Sequence, residues 1–212
     1  MGNCAVDRNQ ICLHGRVGAR PVFSHANHGV EFYRFPLVVR RLSGVEDRIH
    51  VLTSANLLAS CPGLDTEQEV TVTGEVRTFN NRTGEGSRLI ISVFARTLRR
   101  ESGEDENKLE LTGTLCKPPS LRATPLGRTI CDMILAVNRR YGRADYLPCI
   151  AWGTVAQQTA LLDVGESLCL EGRIQSRTYA KTLSTGQSEE RTAYEVSVMR
   201  PLAPEEVLFP IF

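Results

Sequence analysis

Residues 145–162 read Asp-Tyr-Leu-Pro-Cys-Ile-Ala-Trp-Gly-Thr-Val-Ala-Gln-Gln-Thr-Ala-Leu-Leu, and within them a strand pattern changes to a helix pattern. Asp145–Gly153 is a long apolar-rich run, which is typical of a strand that lies largely in a core. Thr154–Leu162 has helical spacing behind an initial threonine, which predicts a short helix. A strand that passes directly into a short helix therefore forms the centre of this part of the chain.

Strand patterns flank this segment on both sides. Before it, Leu109, Leu111 and Leu115 alternate with polar residues, and this period of two predicts a half-buried strand. The further predicted strands are Arg128–Asn138, Ser167–Thr178 and Thr192–Met199. Three strands, a short helix and two strands within roughly 90 residues is the order of an OB-fold, a five-stranded barrel that binds oligonucleotides or oligosaccharides. An unrelated small barrel is the alternative that this pattern leaves open.

The same pattern occurs twice, because the chain matches itself at a fixed offset of 98 residues, with Gly15 on Gly113 and Asp47 on Asp145. The first copy repeats the elements as Gln10–Val17, Val30–Arg40, Asp47–Thr53, a short helix about Ser54–Cys61, Glu69–Thr78 and Arg88–Arg96. Only the last strand departs, since Arg88–Arg96 best matches Thr192–Arg200 at an offset of 104 and predicts a final hairpin about six residues longer. A period of this length is a domain rather than a solenoid repeat. We therefore predict an all-β protein of two tandem OB-folds, each a Greek-key barrel with one short helix between strands 3 and 4.

Charge divides the 212 residues in the same way. Residues 9–100 carry 12 Arg against 8 acids, and residues 107–200 carry 9 Arg and 3 Lys against 9 acids, so the copies are mildly basic at +4 and +3. Residues 101–106 contribute −4. The predicted domains are a diverged first OB-fold at 9–100, an acidic linker at 101–106, a second OB-fold at 107–200 and a short C-terminal tail at 201–212.

Several classes of protein are excluded or disfavoured by composition. No apolar run approaches the ~18 residues that span a bilayer, and no secretory signal is visible, so we expect a cytoplasmic protein without membrane contacts. The seven cysteines form no C-x-x-C pair, and all four histidines lie in the first copy. His25 and His28 could be two metal ligands with Glu31, but they lie where the first strand-to-strand loop is predicted and no third strong ligand is spaced to match; no nucleophilic constellation can be argued. We expect no metal, no cofactor and no enzymatic activity.

Three segments of the second copy follow one another along the predicted strands: Leu135-Ala-Val-Asn-Arg139, Tyr146-Leu-Pro-Cys-Ile-Ala-Trp-Gly153 and Glu171-Gly-Arg-Ile-Gln-Ser-Arg-Thr-Tyr179. They closely resemble the bacterial single-stranded-DNA-binding protein family, and the match covers nearly all of 107–200. The resemblance implies sequence-independent binding of single-stranded DNA in replication, recombination or repair, at the nucleoid. It also implies contacts with replication or repair proteins. Because family members usually pool four OB-folds, two copies in each chain imply a homodimer.

The resemblance also identifies candidate binding residues in the second copy. Aromatic faces stack on any base, and interleaved arginines supply cations for the phosphates. The family's stacking positions fall on Tyr141, Tyr146, Trp152 and Tyr179. The basic residues predicted to contact phosphates are Arg139, Arg140, Arg143, Arg173 and Arg177, with Lys117, Arg122 and Arg128 around the first loop and Lys181 on the longer hairpin.

The first copy lacks this set of rings. At the offset of 98, the four stacking positions become Ser43, Arg48, Ser54 and Asn81. Its phenylalanines lie mostly within predicted strands and are assigned to packing, with Phe79 as the best candidate for a displaced stacking residue. An electrostatic track remains possible along Arg40, Arg41, Arg48, Arg77 and Arg82. We expect the first copy to bind weakly or to serve mainly in docking or assembly.

Two other functions remain open at this stage. One is an OB-fold scaffold of the primosome or replication-restart type, which works mainly through protein contacts and fits the ring-depleted first copy. The other is an RNA-binding OB protein, because stacking alone does not distinguish the two sugars.

Overall fold

A computed structural model of the chain describes residues 8–81, 89–139, 142–182 and 188–202, and for residues 181 and 182 it describes the backbone alone. Strands dominate both copies. The elements of the first copy are β1 (Asn9–Val17), β2 (Val22–Asn27), β3 (Val30–Arg40), β4 (Glu46–Ser54), α1 (Ala55–Ala59), β5 (Glu69–Asn80) and β6 (Leu89–Arg100). Those of the second copy are β7 (Glu106–Leu115), β8 (Ser120–Ala123), β9 (Thr129–Arg139), β10 (Arg143–Trp152), α2 (Gly153–Thr159), β11 (Ser167–Thr182) and β12 (Ser188–Pro201).

Each copy is a closed Greek-key barrel of the predicted type. In the first copy the strands are ordered β2-β3-β4-β6-β5-β1, and an additional β3–β1 pairing closes the barrel. In the second copy the order is β7-β11-β12-β10-β9-β8, closed by β7–β9. The β4–β6 and β10–β12 pairs are parallel, and the short helix lies between the third and fourth barrel strands in both copies. The prediction of an all-β protein with two tandem OB-folds is confirmed.

The barrel cores follow from the alternation that the sequence shows. Leu13, Leu37 and Val51 of the first copy are fully buried, as are Leu111 and Leu147 of the second. Successive strand residues point to opposite faces. The remaining positions of these strands therefore face outward, where function can use them.

The matching glycines of the repeat mark places where two strands come very close. A Cβ atom added at Gly74 would lie 2.2 Å from the backbone oxygen of Phe94, and one at Gly172 would lie 2.6 Å from that of Ser197. No other residue fits at that distance without backbone movement. In the first copy this approach coincides with a register shift between Thr73 and Gly74.

Each copy has one strand, β2 or β8, that is absent from the predicted elements. β2 and β8 pair only with the strand that follows them, at the edge of each barrel. β2 turns into β3 through His28 and Gly29, whose φ angles of 48° and 76° make the tight two-residue turn of a β-hairpin. The expected loop around Arg122 is likewise a hairpin, with Gly127 at φ 75° near its tip.

The longer final hairpin of the second copy exists, but its predicted register was wrong by one residue. Val51 pairs with Val93 in the first copy, and Cys149 pairs with Val196 in the second. Val51 and Cys149 are 98 residues apart in sequence, whereas Val93 and Val196 are 103 apart, not 104. The insertion is therefore five residues rather than six. A slip of one residue exchanges the faces of a strand, so the pairing and not the sequence match fixes which side chains point inward.

Contacts within the chain define two compact units. The second-copy unit contains Leu109–Arg173, and the first-copy unit contains Gln10–Lys108 together with Ile174–Tyr194. The outer part of the β11–β12 hairpin thus belongs by its contacts to the first copy. Across the described residues, no helix has both the length and the apolar character needed to cross a membrane.

Candidate nucleic-acid interface

β10 presents two predicted stacking residues on one outward face. Tyr146 is 55% exposed and Trp152 is 37% exposed. Asp145 and Leu147, the two chain neighbours of Tyr146, point to the opposite face and are fully buried. The rings are six residues apart on one strand, which corresponds to about 20 Å at a rise of ~3.3 Å per residue. Two different bases, rather than one, would therefore be needed to cover them.

The position of Trp152 is set by the junction between β10 and α2. Trp152 is the last strand residue, with φ −127° and ψ 146°, and its side chain makes no capping hydrogen bond to the helix. The next residue, Gly153, turns the chain at φ 57°, a value that glycine adopts without strain. The indole is therefore held by the strand and is free of a role in starting the helix.

Tyr179 lies on β11 within the part of the hairpin that belongs to the first-copy unit. It is 36% exposed. The guanidinium carbon of Arg177 is 5.5 Å from the centre of its ring, on the same face of the strand. This pair brings a ring and a cation together, which is the combination that a stacked base with its phosphate requires.

Two of the predicted phosphate contacts are buried ion pairs instead of free cations. Arg139 donates from Nε and Nη2 to the two carboxylate oxygens of Asp145, and Arg41 binds Asp47 in the same way, with nitrogen–oxygen distances of 2.6 Å in the second case. The arginine side chains are only 20% and 19% exposed, and the aspartates are 0% and 1% exposed. The pair recurs at the offset of 98, so it is a structural element of each barrel. Contact of Arg139 and Arg41 with phosphates stays a prediction.

Asp47 also accepts hydrogen bonds from Ser176 of β11. The Ser176 amide and hydroxyl donate to Asp47 Oδ1 at 2.7 and 2.8 Å, and Arg41 donates to the Ser176 carbonyl at 2.9 Å. Burial would raise the pKa of Asp47, but the hydrogen bonds from Arg41 and Ser176 outweigh it and hold the pKa below its usual value. No sequence pattern indicated a role for Ser176. The buried Arg–Asp pair itself could have been predicted. Both residues recur at the offset of 98, and the aspartate lies at one of the alternating strand positions that point into the core.

The hairpin has a second contact with the first copy. Tyr194 donates its hydroxyl to the Arg48 carbonyl at 2.8 Å, and its ring lies 5.5 Å from that of His50. Burial, with a smaller effect from the charge of Arg34, lowers the pKa of His50. Arg48 is exposed, and its guanidinium makes a long hydrogen bond of 3.4 Å to the Gly18 carbonyl.

The other predicted cations divide into exposed and paired groups. Arg143, Lys117 and Arg128 are exposed. The paired group consists of Arg122 with Asp132 at 2.5 Å, Arg40 with Glu46 at 3.7 Å, and Arg77 with Glu75. Arg173 is half-buried, and its Nε has no hydrogen-bond partner among the described residues. Arg140 and Tyr141 lie outside the described residues, as do the side chain of Lys181 and residue Arg82.

Within the described ranges, no three histidine, cysteine or carboxylate side chains are grouped as metal ligands. The six cysteines described there are free thiols. Burial raises the pKa of the Cys149 thiol well above its usual range, which keeps it protonated and unreactive.

Comparisons with known proteins agree with this geometry. The sequence profile of the single-strand binding protein family matches residues 106–202. Over 80 residues the chain is 38% identical to the single-stranded DNA-binding protein of Clostridium tetani, a match covering 34% of this chain and 55% of that protein. Over the same length it is 39% identical to single-stranded DNA-binding protein B of Bacillus subtilis, covering 34% of this chain and 71% of that protein. The match spans a little over half the length of the first three curated relatives.

A solved structure resembles both copies together. The wild-type single-stranded DNA binding protein from Thermus aquaticus superposes with a TM-score of 0.73 at 23% sequence identity, covering 97% of each chain. At this level of identity the likeness shows a shared fold.

Proposed function

This chain belongs to the single-strand binding protein family, and we propose that it binds single-stranded DNA without sequence preference in replication, recombination or repair. One observation carries the proposal. Tyr146 and Trp152 lie exposed on one outward face of β10, inside the segment that the family profile matches. More than half of Tyr146 and over a third of Trp152 stay open to solvent, where a base can stack on them.

The proposed mechanism combines stacking with charge. Each ring supplies a surface for one base, worth ~1–3 kcal/mol by truncation and indifferent to sequence. The exposed cations Arg143, Lys117 and Arg128 neutralise phosphates in the second copy. If about five phosphates are contacted, log affinity falls against log salt with a slope near −3.5, from roughly −0.7 per contact on single strands.

The test uses the single tryptophan of the chain, Trp152. A dT oligomer of about 30 nucleotides is titrated at low and high salt while Trp152 fluorescence is followed. Quenching that weakens with salt supports a base stacked on the indole. Absence of binding at low salt would refute the proposal.

Variants then separate stacking from general apolar contact. Trp152→Leu is expected to weaken binding of a labelled oligomer by about tenfold, because 1.4 kcal/mol is lost when one stack is removed. Leu161→Ala is the matched control, since Leu161 is an 82% exposed apolar residue of the same unit, just beyond the end of α2. Equal effects of the two substitutions would argue against stacking. A competition between dT and rU oligomers of equal length decides between DNA and RNA.

The assembly and cellular setting belong to the same proposal. We infer a homodimer that pools four OB-folds, a nucleoid-associated location in the cytoplasm, and contacts with replication or repair proteins. Sedimentation equilibrium tests the assembly directly. A mass of one chain at micromolar concentration would overturn the homodimer.

A further inference from the structure

The first copy has an outward aromatic row that the family's stacking positions do not include. His25 on β2 stacks on Phe32 of β3 with ring centres 5.0 Å apart and an angle of 15° between planes. Phe32 is 5.9 Å from Phe94 of β6, and the guanidinium carbon of Arg96 is 5.0 Å from the centre of the Phe94 ring. We call these four residues the first-copy row.

The row occupies the place of Trp152 in the other barrel. In the second copy, Trp152 on β10 pairs across the ladder with Ile130 on β9. The corresponding pair of the first copy, at the offset of 98, is Ser54 on β4 with Phe32 on β3. One member of the cross-strand pair is aromatic in each copy, but the ring comes from the opposite strand. Directly opposed side chains on one face of a sheet are neighbours, so the ring is kept at nearly the same spot.

The surroundings of the row supply cations. Arg34 is exposed two residues from Phe32 on the same face of β3, and it makes no ion pair within the part of the chain that the structure describes. Arg96 has a 54% exposed side chain and pairs with Glu75 at 2.8 Å. Arg77 pairs with the same carboxylate, so the three groups together keep a positive charge. Rings beside a net positive surface match bases and phosphates better than they match an apolar protein segment.

We propose that the first-copy row is a second base-stacking site for single-stranded DNA, supplied by β2, β3 and β6 in place of the strand 3 rings of the second copy. The inference rests on the proposed function. It adds a site at residues that the sequence pattern had assigned mostly to packing. The exposed ring of His25 provides the stacking face, the half-buried Phe32 on which it stacks holds that ring in place, and Arg34 contacts the adjacent phosphate.

The test compares variants that keep or remove the ring. Phe32→Leu keeps an apolar side chain but loses the ring face on which His25 stacks, whereas Phe32→Tyr keeps that face. Binding of a labelled 30-nucleotide dT oligomer is measured in the otherwise unchanged protein and in a Trp152→Leu/Tyr146→Leu background, in which the second copy has lost its described β10 rings. We expect Phe32→Leu to weaken binding at least fivefold in that background, and Phe32→Tyr to leave it unchanged.

A second pair of variants tests the cation. Arg34→Ala is expected to weaken binding and to reduce the salt slope by roughly 0.7. Arg20→Ala is the matched control, because Arg20 is an exposed arginine of the same unit that is engaged by Asp65. Equal effects of the two substitutions would overturn the role of Arg34.

Photo-crosslinking locates the contact. A dT oligomer containing 5-iodouracil is expected to crosslink to the tryptic peptide that contains His25 and Phe32. If the unchanged protein binds DNA but Phe32→Leu has no effect and this peptide is never labelled, the first-copy row is not a DNA site while the proposed function stands. If the unchanged protein fails to bind any oligomer, the proposed function itself fails.

Discussion

The buried carboxylate of Asp47 is expected to be one of the largest single contributors to the stability of the first-copy unit. Substitution Asp47→Asn keeps the shape of the side chain and removes its charge. In the native protein, Asp47 accepts two hydrogen bonds from Arg41 at 2.6 Å and two from Ser176 at 2.7 and 2.8 Å. The amide can keep an acceptor for only part of this set and leaves the Arg41 guanidinium without its counter-ion.

The expected loss follows from the burial of the pair. Removing one partner of a buried ion pair costs about 3 to 5 kcal/mol because the remaining charge is uncompensated. Arg41 keeps a 19% exposed side chain and still donates to the Ser176 carbonyl, so the lower end applies. We expect the free energy of unfolding to fall by about 3 kcal/mol. At an m-value of about 1 to 3 kcal/mol per molar, the urea midpoint falls by about 1 to 3 M.

The loss depends on pH in a defined direction. The pKa of Asp47 in the folded protein lies below its usual value, so the carboxylate contributes stability that is present above about pH 4 and is lost as pH falls through the folded pKa. The difference in the free energy of unfolding between the native protein and the variant should therefore be largest and constant from pH 7 to 5, and it should shrink as the pH falls further.

Urea unfolding followed by circular dichroism measures this gap at each pH. Glu46→Gln is the control, since Glu46 precedes Asp47 on β4 but forms a partly exposed pair with Arg16, and such pairs contribute little. A loss below about 1 kcal/mol at pH 7, or a gap that stays constant from pH 6 to 3, would refute the reasoning.

Three further outcomes are expected. Burial, with the neighbouring charge of Glu106, raises the pKa of Cys12 to about 12, so its alkylation at pH 8 should be roughly a thousandfold slower than that of an ordinary thiol, and Glu106→Gln should accelerate it. Gly74→Ala places a Cβ atom 2.2 Å from the Phe94 backbone oxygen and should destabilise the first-copy unit by about 1 to 3 kcal/mol in urea, with an unchanged value excluding the close approach. Tyr194→Phe removes a hydroxyl that donates to a β4 carbonyl and should cost about 1 kcal/mol by the same measurement, while a more stable variant would contradict that bond.

Much of the fold could be predicted because the barrel strands obey a period of two and the copies repeat. β2 and β8 could not be predicted in the same way. Every residue of β8 is exposed, and so is every residue of β2 except the half-buried Ser24, so neither strand has an apolar face that its sequence would show. Edge strands of this kind are held by backbone pairing with one neighbour, and backbone pairing leaves no signature in composition.

The candidate site shows the same division. Tyr146 and Trp152 were predictable because they lie at outward positions of a regular strand. Arg139 was predicted to bind phosphate because it is a basic residue among the ring positions. Its partner Asp145, however, lies at an inward-pointing strand position and is fully buried. The contact of Ser176 with Asp47 joins residues 129 positions apart and depends on where a hairpin lies after folding, which no local pattern records.

Assignment of Ile174–Tyr194 to the first-copy unit has a consequence for how the duplicated halves can change over evolutionary time. Two tandem domains are usually free to be exchanged, lost or shuffled one at a time. Here, an ancestor that replaced its second copy by recombination would also have replaced the serine that satisfies Asp47 in the first. Exchange of the second copy alone is therefore expected to destabilise the first, and positions 47 and 176 are expected to vary together among related sequences.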